Sequence, residues 1–297
     1  MLDRFPQLPA TTNASALQCA FLGTSSVVLR DHRTTVLTDG FISRPRFGRV
    51  ALGGALHPDR PAIAGTLAGL GLTEAASIVV THSHYDHALD APTVATTLDA
   101  DLIGSHSTRE IARGYDFDLG RYRLAEPEIP CSYGDFTISL RESEHSPGDR
   151  CPGEISGPLA TPARARQFRT GETYSVHFAH PAGNVIVHGS AGYRPDCLAG
   201  LHADVIFLGV GALGRQDAAF RRRYWDETVV AVGARRVVPV HWDRFWRPLT
   251  EPMRPMPRLF DNFRSTVRFL RDRAEKDGVE IAMAPATTWC DPFAPLR

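Results

Sequence analysis

The sequence lacks the features that mark several large classes of protein. None of its 297 residues belongs to an unbroken apolar run that approaches the roughly 20 residues of a membrane-spanning helix. Its five cysteines are widely spaced and never form Cys-x-x-Cys, which argues against a disulfide framework and against a thiolate zinc site. We therefore expect no transmembrane segment and no chemistry that depends on paired cysteines.

Lysine is almost absent, because Lys276 is the single lysine among 33 basic residues, and 33 acidic residues bring the formal net charge to zero. This balance predicts no general attraction to nucleic acid or to anionic membranes, although local arginine clusters could recognise an anionic substrate. The apolar fraction of 43% is typical of a globular protein. Residues 1–18 do not follow the order of a secretory signal, so we expect a cytoplasmic protein. We expect its partner to be a small-molecule substrate.

Strand-like and helix-like segments alternate along the chain, which predicts a layered α/β protein. Strands are predicted at 17–22, 26–29, 34–38, 77–80, 101–104, 136–140, 173–178, 184–187, 205–208, 236–240 and 279–283, and helices at 61–70, 91–98, 107–113, 217–232 and 259–275. Residues 146–170 break this alternation with four prolines and several glycines, and they predict a loop. We expect a loose segment at 1–16 and a single domain over 17–297.

Four potential metal ligands follow one apolar run. The segment Ile78-Val79-Val80 predicts a buried strand, and it leads directly into Thr81-His82-Ser83-His84-Tyr85-Asp86-His87. A polar loop that happens to be rich in histidine is the alternative, but four ligand-type side chains within six residues favour a metal site.

Two further predicted strands also end in histidine. His145 follows the strand that begins at Phe136, and His241 follows Val240. Either histidine taken alone could be an ordinary surface or core residue, but strand ends that share one edge of a sheet bring ligands together. Imidazole and carboxylate ligands without thiolate suit Zn²⁺ best, with Mn²⁺ or Fe²⁺ as alternatives, and one or two ions are possible. Such an ion lowers the pKa of water from about 15.7 toward about 7, which favours hydrolysis.

These segments resemble those of the metallo-β-lactamase superfamily, and within it the branch of N-acylphosphatidylethanolamine phospholipase D and ascorbate-6-phosphate lactonase. Four segments carry the resemblance: Leu37-Thr38-Asp39-Gly40, the motif at 81–87, Glu144-His145-Ser146, and Pro239-Val240-His241-Trp242. The resemblance implies a four-layer αββα sandwich and a metal-dependent hydrolase.

The resemblance also implies a role for each candidate ligand. His82, His84 and His145 would hold one metal, and Asp86, His87 and His241 the other. Asp86 would in addition be the catalytic residue that orients the nucleophile or passes its proton onward. Asp39 would be an acid that supports a ligand, and the equally weighted alternative is a turn aspartate before Gly40.

The sequence departs from the family at one position. Family members carry an aspartate that bridges the two metals in a Gly-Asp-Thr-Gly-like segment, whereas this chain has Gly189-Ser190-Ala191-Gly192, with Ser190 as the replacement. A neutral hydroxyl is a much poorer bridge than a carboxylate. We expect one of three consequences, in this order of preference: a weakened second metal site, a pair of metal ions bridged only by hydroxide or substrate, or an inactive descendant of the family. His188 could compensate, although an ordinary core histidine is favoured.

Arginines near these ligands suggest an anionic substrate. Arg164 and Arg166 belong to the loop at 146–170, which is a candidate lid, and Arg244 follows His241. For Arg164 and Arg166, the alternative is a solvated surface loop. For Arg244, the alternative is ordinary core packing.

We therefore predict a metal-dependent hydrolase of a phosphodiester, lactone or related ester. The competing hypotheses are an iron-dependent oxygenase or oxidoreductase on the same fold, and a non-catalytic metal-binding relative that lacks the bridging carboxylate.

Overall fold

The first of two large β-sheets is built mainly from the N-terminal half of the chain. The computed structural model describes residues 5–12, 15–127, 129–294 and 296. In the first sheet β1 to β3 are antiparallel neighbours, and the strands that follow add in parallel in the order β1-β2-β3-β5-β6-β7. These strands are β1 (Gln18–Phe21), β2 (Val27–Arg30), β3 (Thr35–Thr38), β5 (Ser77–Val79), β6 (Asp101–Gly104) and β7 (Tyr122–Leu124).

The second sheet has seven strands in the order β15-β14-β13-β12-β11-β9-β8. They are β8 (Cys131–Tyr133), β9 (Phe136–Ser143), β11 (Thr173–Ala179), β12 (Val185–His188), β13 (Val205–Gly209), β14 (Arg236–Val240) and β15 (Glu280–Ile281). Pairing is antiparallel from β8 to β12 and parallel from β12 to β15. A separate two-residue ribbon joins β4 (Ala55–Leu56) to β10 (Ala163–Arg164).

Seven α-helices accompany the sheets within the described ranges. They are α1 (Phe47–Ala51), α2 (Arg60–Gly69), α3 (Tyr85–Ala88), α4 (Ala91–Thr97), α5 (His106–Gly114), α6 (Ala218–Trp225) and α7 (Phe263–Asp277). Asp226–Val230 continues α6 as a π-helical segment. None of the helices in these ranges is long and apolar enough to cross a membrane.

Side-chain alternation along the strands explains the layers. Cys19 and Phe21 of β1 join the core between the two sheets, whereas Ala20 points to the opposite face, against the helices. Successive side chains of a strand point to opposite faces of the sheet, so a strand whose side chains are all apolar must be covered on both faces. Helices α2, α4 and α5 cover the outer face of the first sheet through Ile63, Val94 and Ile111, among others.

Helices α6 and α7 cover the second sheet, where Trp225 and Leu270 pack in one cluster with the side chains of β13. The order is therefore helix, sheet, sheet, helix, and the predicted four-layer α/β sandwich is confirmed.

Several local predictions need correction. Helix α7 begins at Phe263 and not at 259, because residues 257–262 form a turn in which Phe260 N–H donates to Pro257 O. The chain at 5–12 is not loose: Leu8 is buried, and its N–H donates to Met283 O. The short elements α1, α3, β7 and β8 were not predicted, because they are too short for periodicity to show.

Candidate metal centre

The motif at 81–87 leaves β5 and turns immediately into α3. His82 and His84 lie in the connecting loop, and the single turn of α3 carries Asp86 and His87. Residues at the carboxyl ends of strands gather at one edge of a sheet. His145 follows β9 and His241 follows β14, so both sheets contribute to the same edge.

The structure assembles the six predicted ligands into two clusters. In each, one potential ligand atom per residue lies within 4.8 Å of the others: His82, His84 and His145 in the first, and Asp86, His87 and His241 in the second. We call these the three-histidine cluster and the aspartate cluster. The ring centroids of His82 and His87 are 3.8 Å apart, so the two clusters adjoin.

Distances within the aspartate cluster fit a metal ion. His241 Nε2 lies 3.2 Å from His87 Nε2 and 3.3 Å from Asp86 Oδ2, and His87 Nε2 lies 3.8 Å from the same carboxylate oxygen. Ligands about 2.0–2.1 Å from a tetrahedral zinc ion are about 3.3 Å from one another. The three atoms therefore stand close to the corners of such a site.

A buried acid fixes the ring of His87. Asp39 Oδ2 lies 2.8 Å from His87 Nδ1, and Asp39 also accepts hydrogen bonds from Thr81 N–H and from Ser25 Oγ. An ionised carboxylate only accepts, so His87 in the neutral form that binds metal would donate from Nδ1 and have its lone pair at Nε2, facing the cluster. Asp39 holds a left-handed backbone at φ 55°, which a strained turn at a functional site often requires.

The three-histidine cluster is organised in a similar way. His145 Nδ1 donates to Ser146 O over 3.0 Å, which leaves its Nε2 free. His84 Nε2 lies 3.0 Å from Thr170 Oγ1 and 3.2 Å from Asp149 Oδ1, so its Nδ1 is the nitrogen left for a ligand. His82 Nε2 is buried and has no hydrogen-bond partner among the described residues. A buried, unpartnered lone pair costs free energy, and a metal ion would satisfy it.

Asp149 is a site residue that the sequence did not single out. It belongs to the loop at 146–170, where Thr170 Oγ donates to its carboxylate and Cys151 N–H donates to it over 2.8 Å. The two ends of the loop thus meet at His84. Asp149 lies four residues after His145, a spacing that matches no metal-binding motif. Only the folded loop brings it to His84.

Burial sets the protonation of the three-histidine cluster. Desolvation, followed by repulsion from neighbouring histidines, lowers the pKa of His82, and burial likewise lowers the pKa of His84. Burial, followed by the charge of His84, lowers the pKa of His145 to about 4. These rings are neutral at pH 7, which is the form that binds a metal.

The aspartate cluster contains an ionised carboxylate. Burial alone would raise the pKa of Asp86, but the charge of His87 and the hydrogen bond from His241 outweigh it and hold the pKa below its usual range. Burial lowers the pKa of His241, but Asp86 more than offsets this and raises it. An aspartate with a low pKa is a weak proton acceptor, so its position suits binding and orientation better than proton transfer.

Ser190 stabilises the turn after β9, next to His145. Its Oγ accepts the Ser146 N–H over 2.9 Å. His188 does not compensate for the missing carboxylate, because its ring is buried between Ser175 Oγ and Gly192 O, at 2.7 Å from each. Gly192 is required here, since a Cβ would lie 2.3 Å from Glu144 O.

A cavity of about 530 Å³ opens onto both clusters, and His84, Asp86, His145 and His241 line it. Arg164 and Arg166 of the loop at 146–170 also line it, as does Arg150 of the same loop. Arg244, the third arginine predicted to contact the substrate, donates from Nε to Pro255 O and is not among the residues that line this cavity. The direction of this side chain depends on the loop that follows it.

Comparison with known proteins identifies the fold and the family. A comparison with curated protein sequences finds no match. Among solved structures, the chain is similar to the metallo hydrolase Igni18 from the archaeon Ignicoccus hospitalis, at 15% identity and a TM-score of 0.55 over 91% of this chain and 96% of that one. It is similar to the metallo-beta-lactamase fold protein YhfI from Bacillus subtilis at 13% identity and a TM-score of 0.53 over 92% and 98%.

The diiron beta-hydroxylase CmlA from Streptomyces venezuelae is another structural neighbour, at 14% identity and a TM-score of 0.57 over 93% of this chain and 54% of that one. At these identities the likeness concerns the fold alone. A sequence model of the metallo-beta-lactamase superfamily matches residues 20–209, which is well over half of the chain. This chain belongs to the metallo-beta-lactamase superfamily.

Proposed function

We propose that the protein is a metal-dependent hydrolase that uses a metal-activated hydroxide on a phosphodiester, a lactone or a related ester. The observation that carries this proposal is the convergence of two ligand clusters on one cavity: residues of both, such as His145 and His241, line its wall. A concave site with a few convergent polar groups is the usual place for a small substrate.

The side chains fit a divalent ion. The three-histidine cluster is neutral and contains the unpartnered His82 Nε2, while the aspartate cluster adds the negative charge of Asp86. Nitrogen and oxygen ligands at these separations suit Zn²⁺ best, with Mn²⁺ and Fe²⁺ as alternatives. A bound ion of this kind lowers the pKa of water, supplies hydroxide near neutral pH and polarises the bond under attack.

The residues of the chain supply position and charge. We assign binding and orientation to Asp86, whose carboxylate lies at the cavity wall and is ionised at neutral pH. We assign Arg164 and Arg166 to an anionic group of the substrate, because both are exposed at the cavity wall. The loop at 146–170 forms part of the same wall, which supports a role as a lid.

Ser190 leaves one or two ions possible. Its hydroxyl is neutral and already accepts the Ser146 N–H, so it offers little to hold two ions together. We therefore favour tight binding of one ion with a weaker second. The resemblance to the N-acylphosphatidylethanolamine phospholipase D and ascorbate-6-phosphate lactonase branch, and a cytoplasmic location, remain hypotheses alongside this function.

Two alternatives rest on specific observations. The likeness to the fold of a diiron beta-hydroxylase, together with ligands that also suit iron, favours an oxygenase or oxidoreductase. The serine at position 190 favours a non-catalytic metal-binding relative. Oxygen consumption by the iron-loaded protein would identify the first, and stable metal binding without turnover the second.

The test is an assay panel of phosphodiesters, lactones and aryl esters on zinc-, manganese- and iron-loaded protein. We expect hydrolysis of one class and its loss in His84→Ala, with Asp272→Asn on the exposed face of α7 as the control. Hydrolysis that survives in His84→Ala would show that the activity does not come from this centre, and the absence of hydrolysis across the panel would count against the function itself.

A further inference from the structure

One wall of the cavity is made of aromatic side chains. Phe47 lies 5.1 Å from Trp246 and 5.4 Å from Phe260 between ring centroids, and Trp246 lies 5.6 Å from Phe260. All three line the cavity, together with Phe245. We call these four residues the aromatic wall.

The aromatic wall begins at a candidate ligand. The ring of Phe245 lies 5.5 Å from that of His241, almost perpendicular at 89°, and 5.5 Å from that of Trp246. A continuous series of rings therefore runs from the aspartate cluster to Phe47. When the reacting bond of a substrate is held at the aspartate cluster, the substituent attached to that bond would lie along these rings.

None of the residues that the structure describes covers the outer end of the wall. Helix α1 buries none of its residues, although Phe47 and Val50 are apolar and both face the cavity. Phe47 is 42% exposed. Apolar surface that is concave, exposed and continuous with a site of polar ligands is typical of a surface that a ligand covers.

We propose that the aromatic wall is a binding subsite for an aromatic ring of the substrate, so that the substrate is an aryl ester or an aryl phosphodiester. This inference rests on the proposed function, because it takes the reacting bond to be held at the two clusters. The rings of Phe47 and Phe260 meet edge to face. Contacts of this kind stabilise a bound aromatic ring by more than the burial of its apolar area alone. The cavity of about 530 Å³ suits a compact ligand.

The subsite is tested by binding and needs no turnover. Phenylphosphonate, methylphosphonate and hexylphosphonate are titrated calorimetrically into the zinc-loaded protein. We expect phenylphosphonate to bind about tenfold more tightly than methylphosphonate, since the ring removes apolar surface from water, and at least as tightly as hexylphosphonate.

Two variants assign this preference to the wall. Phe47→Ala and Trp246→Ala should each lower the preference for phenyl over methyl at least about threefold and leave the affinity for methylphosphonate unchanged. Phe47 is exposed, so its variant is expected to fold even if the Trp246 variant does not. Leu119→Ala is the matched control, because Leu119 is 39% exposed and lies outside the cavity.

Equal affinity for the three phosphonates, no measurable binding of any, or a preference that both variants keep would overturn the proposal. Tighter binding of hexylphosphonate would instead assign the wall to an alkyl chain and would also overturn it. The outcome is separate from that of the hydrolase proposal: phenyl preference without hydrolysis of any ester would leave the subsite standing, and hydrolysis without phenyl preference would leave the function standing.

Discussion

At the scale of single residues, three of the five histidines of the centre are held on one side so that the other side can bind. His87 is held by Asp39, His145 by Ser146 O, and His84 by the far end of the 146–170 loop. A ring nitrogen that donates to a carboxylate or carbonyl fixes the tautomer and directs the other nitrogen to the metal. The affinity of the centre therefore depends on residues that do not bind the metal themselves.

Asp149 provides a test of that dependence. Asp149→Asn removes the negative charge beside His84 Nε2, which lies 3.2 Å away, while it keeps the size of the side chain. We expect the affinity for zinc to fall about 10- to 100-fold, as measured by competition with a chromogenic chelator. Asp272→Asn should have no effect, and an unchanged affinity in Asp149→Asn would show that the carboxylate does not support His84.

Ser190 is tested by restoring the carboxylate. Ser190→Asp can still accept the Ser146 N–H and adds a charged ligand, so we expect affinity for a second zinc ion to rise at least about tenfold. The uncharged Ser190→Asn, which matches it in size, should not produce this gain. Equal metal binding in the two variants would place position 190 away from the ions.

Some site residues could be predicted from the sequence and others could not, and the difference lies in how far each depends on the fold. The motif at 81–87 is visible because its four ligand-type side chains lie within six residues of one another in the sequence. Asp149, Phe47 and Phe260 join the site only through the path of the folded chain, which no local pattern specifies. The direction of Arg244, whose Nε donates to Pro255 O, is likewise set by the folded loop.

At the scale of elements, the centre is a property of strand ends. Asp39 follows β3, the motif follows β5, His145 follows β9 and His241 follows β14. Strands β3 and β5 are parallel neighbours that pair Thr38 with Val79, so their carboxyl ends meet. The strands themselves could be predicted from apolar runs, and their ends indicated the site. The packing of the two sheets against each other could not be predicted, because it depends on contacts between residues that are far apart in the sequence.

A buried acid at the junction of α3 and α4 gives this region a dependence on pH. Asp90 accepts hydrogen bonds from Ile42 N–H over 2.7 Å, and from Ser43 N–H and Ser43 Oγ over 2.6 Å each. Burial raises the pKa of Asp90 to about 6. Between about pH 4 and 6 the folded protein holds this proton more tightly than the unfolded chain, so the contribution of Asp90 to stability falls as pH rises.

Asp90→Asn removes that titration: its amide oxygen can still accept from the Ile42 and Ser43 N–H groups, and its amide NH2 donates to Ser43 Oγ where the carboxylate accepted from it. The unfolding free energy of the variant minus that of the wild type should therefore rise by about 1 kcal/mol from pH 5 to pH 8. Urea denaturation at each pH measures it, and Asp272→Asn should show no such trend. A difference that stays constant over this range would mean that Asp90 titrates normally in the folded protein.

At the scale of the whole molecule, the sandwich serves to hold two sets of loops over one edge. The first sheet brings Asp39 and the motif at 81–87, and the second brings His145, Ser190 and His241. The core between the sheets draws side chains from both, so the two halves of the centre are fixed relative to each other. An active centre assembled in this way needs both sheets in place before either cluster is complete.

The central claim is that the two clusters form a metal centre with one tightly bound ion and a weaker second site, and elemental analysis of the purified protein after dialysis against micromolar zinc tests it most directly. We predict one to two zinc ions per chain in the wild type, loss of the tightly bound ion in His82→Ala, loss of the weaker one in His241→Ala, and none in the double variant. A wild-type protein without bound metal, or a double variant that retains the full content of zinc, would contradict the account.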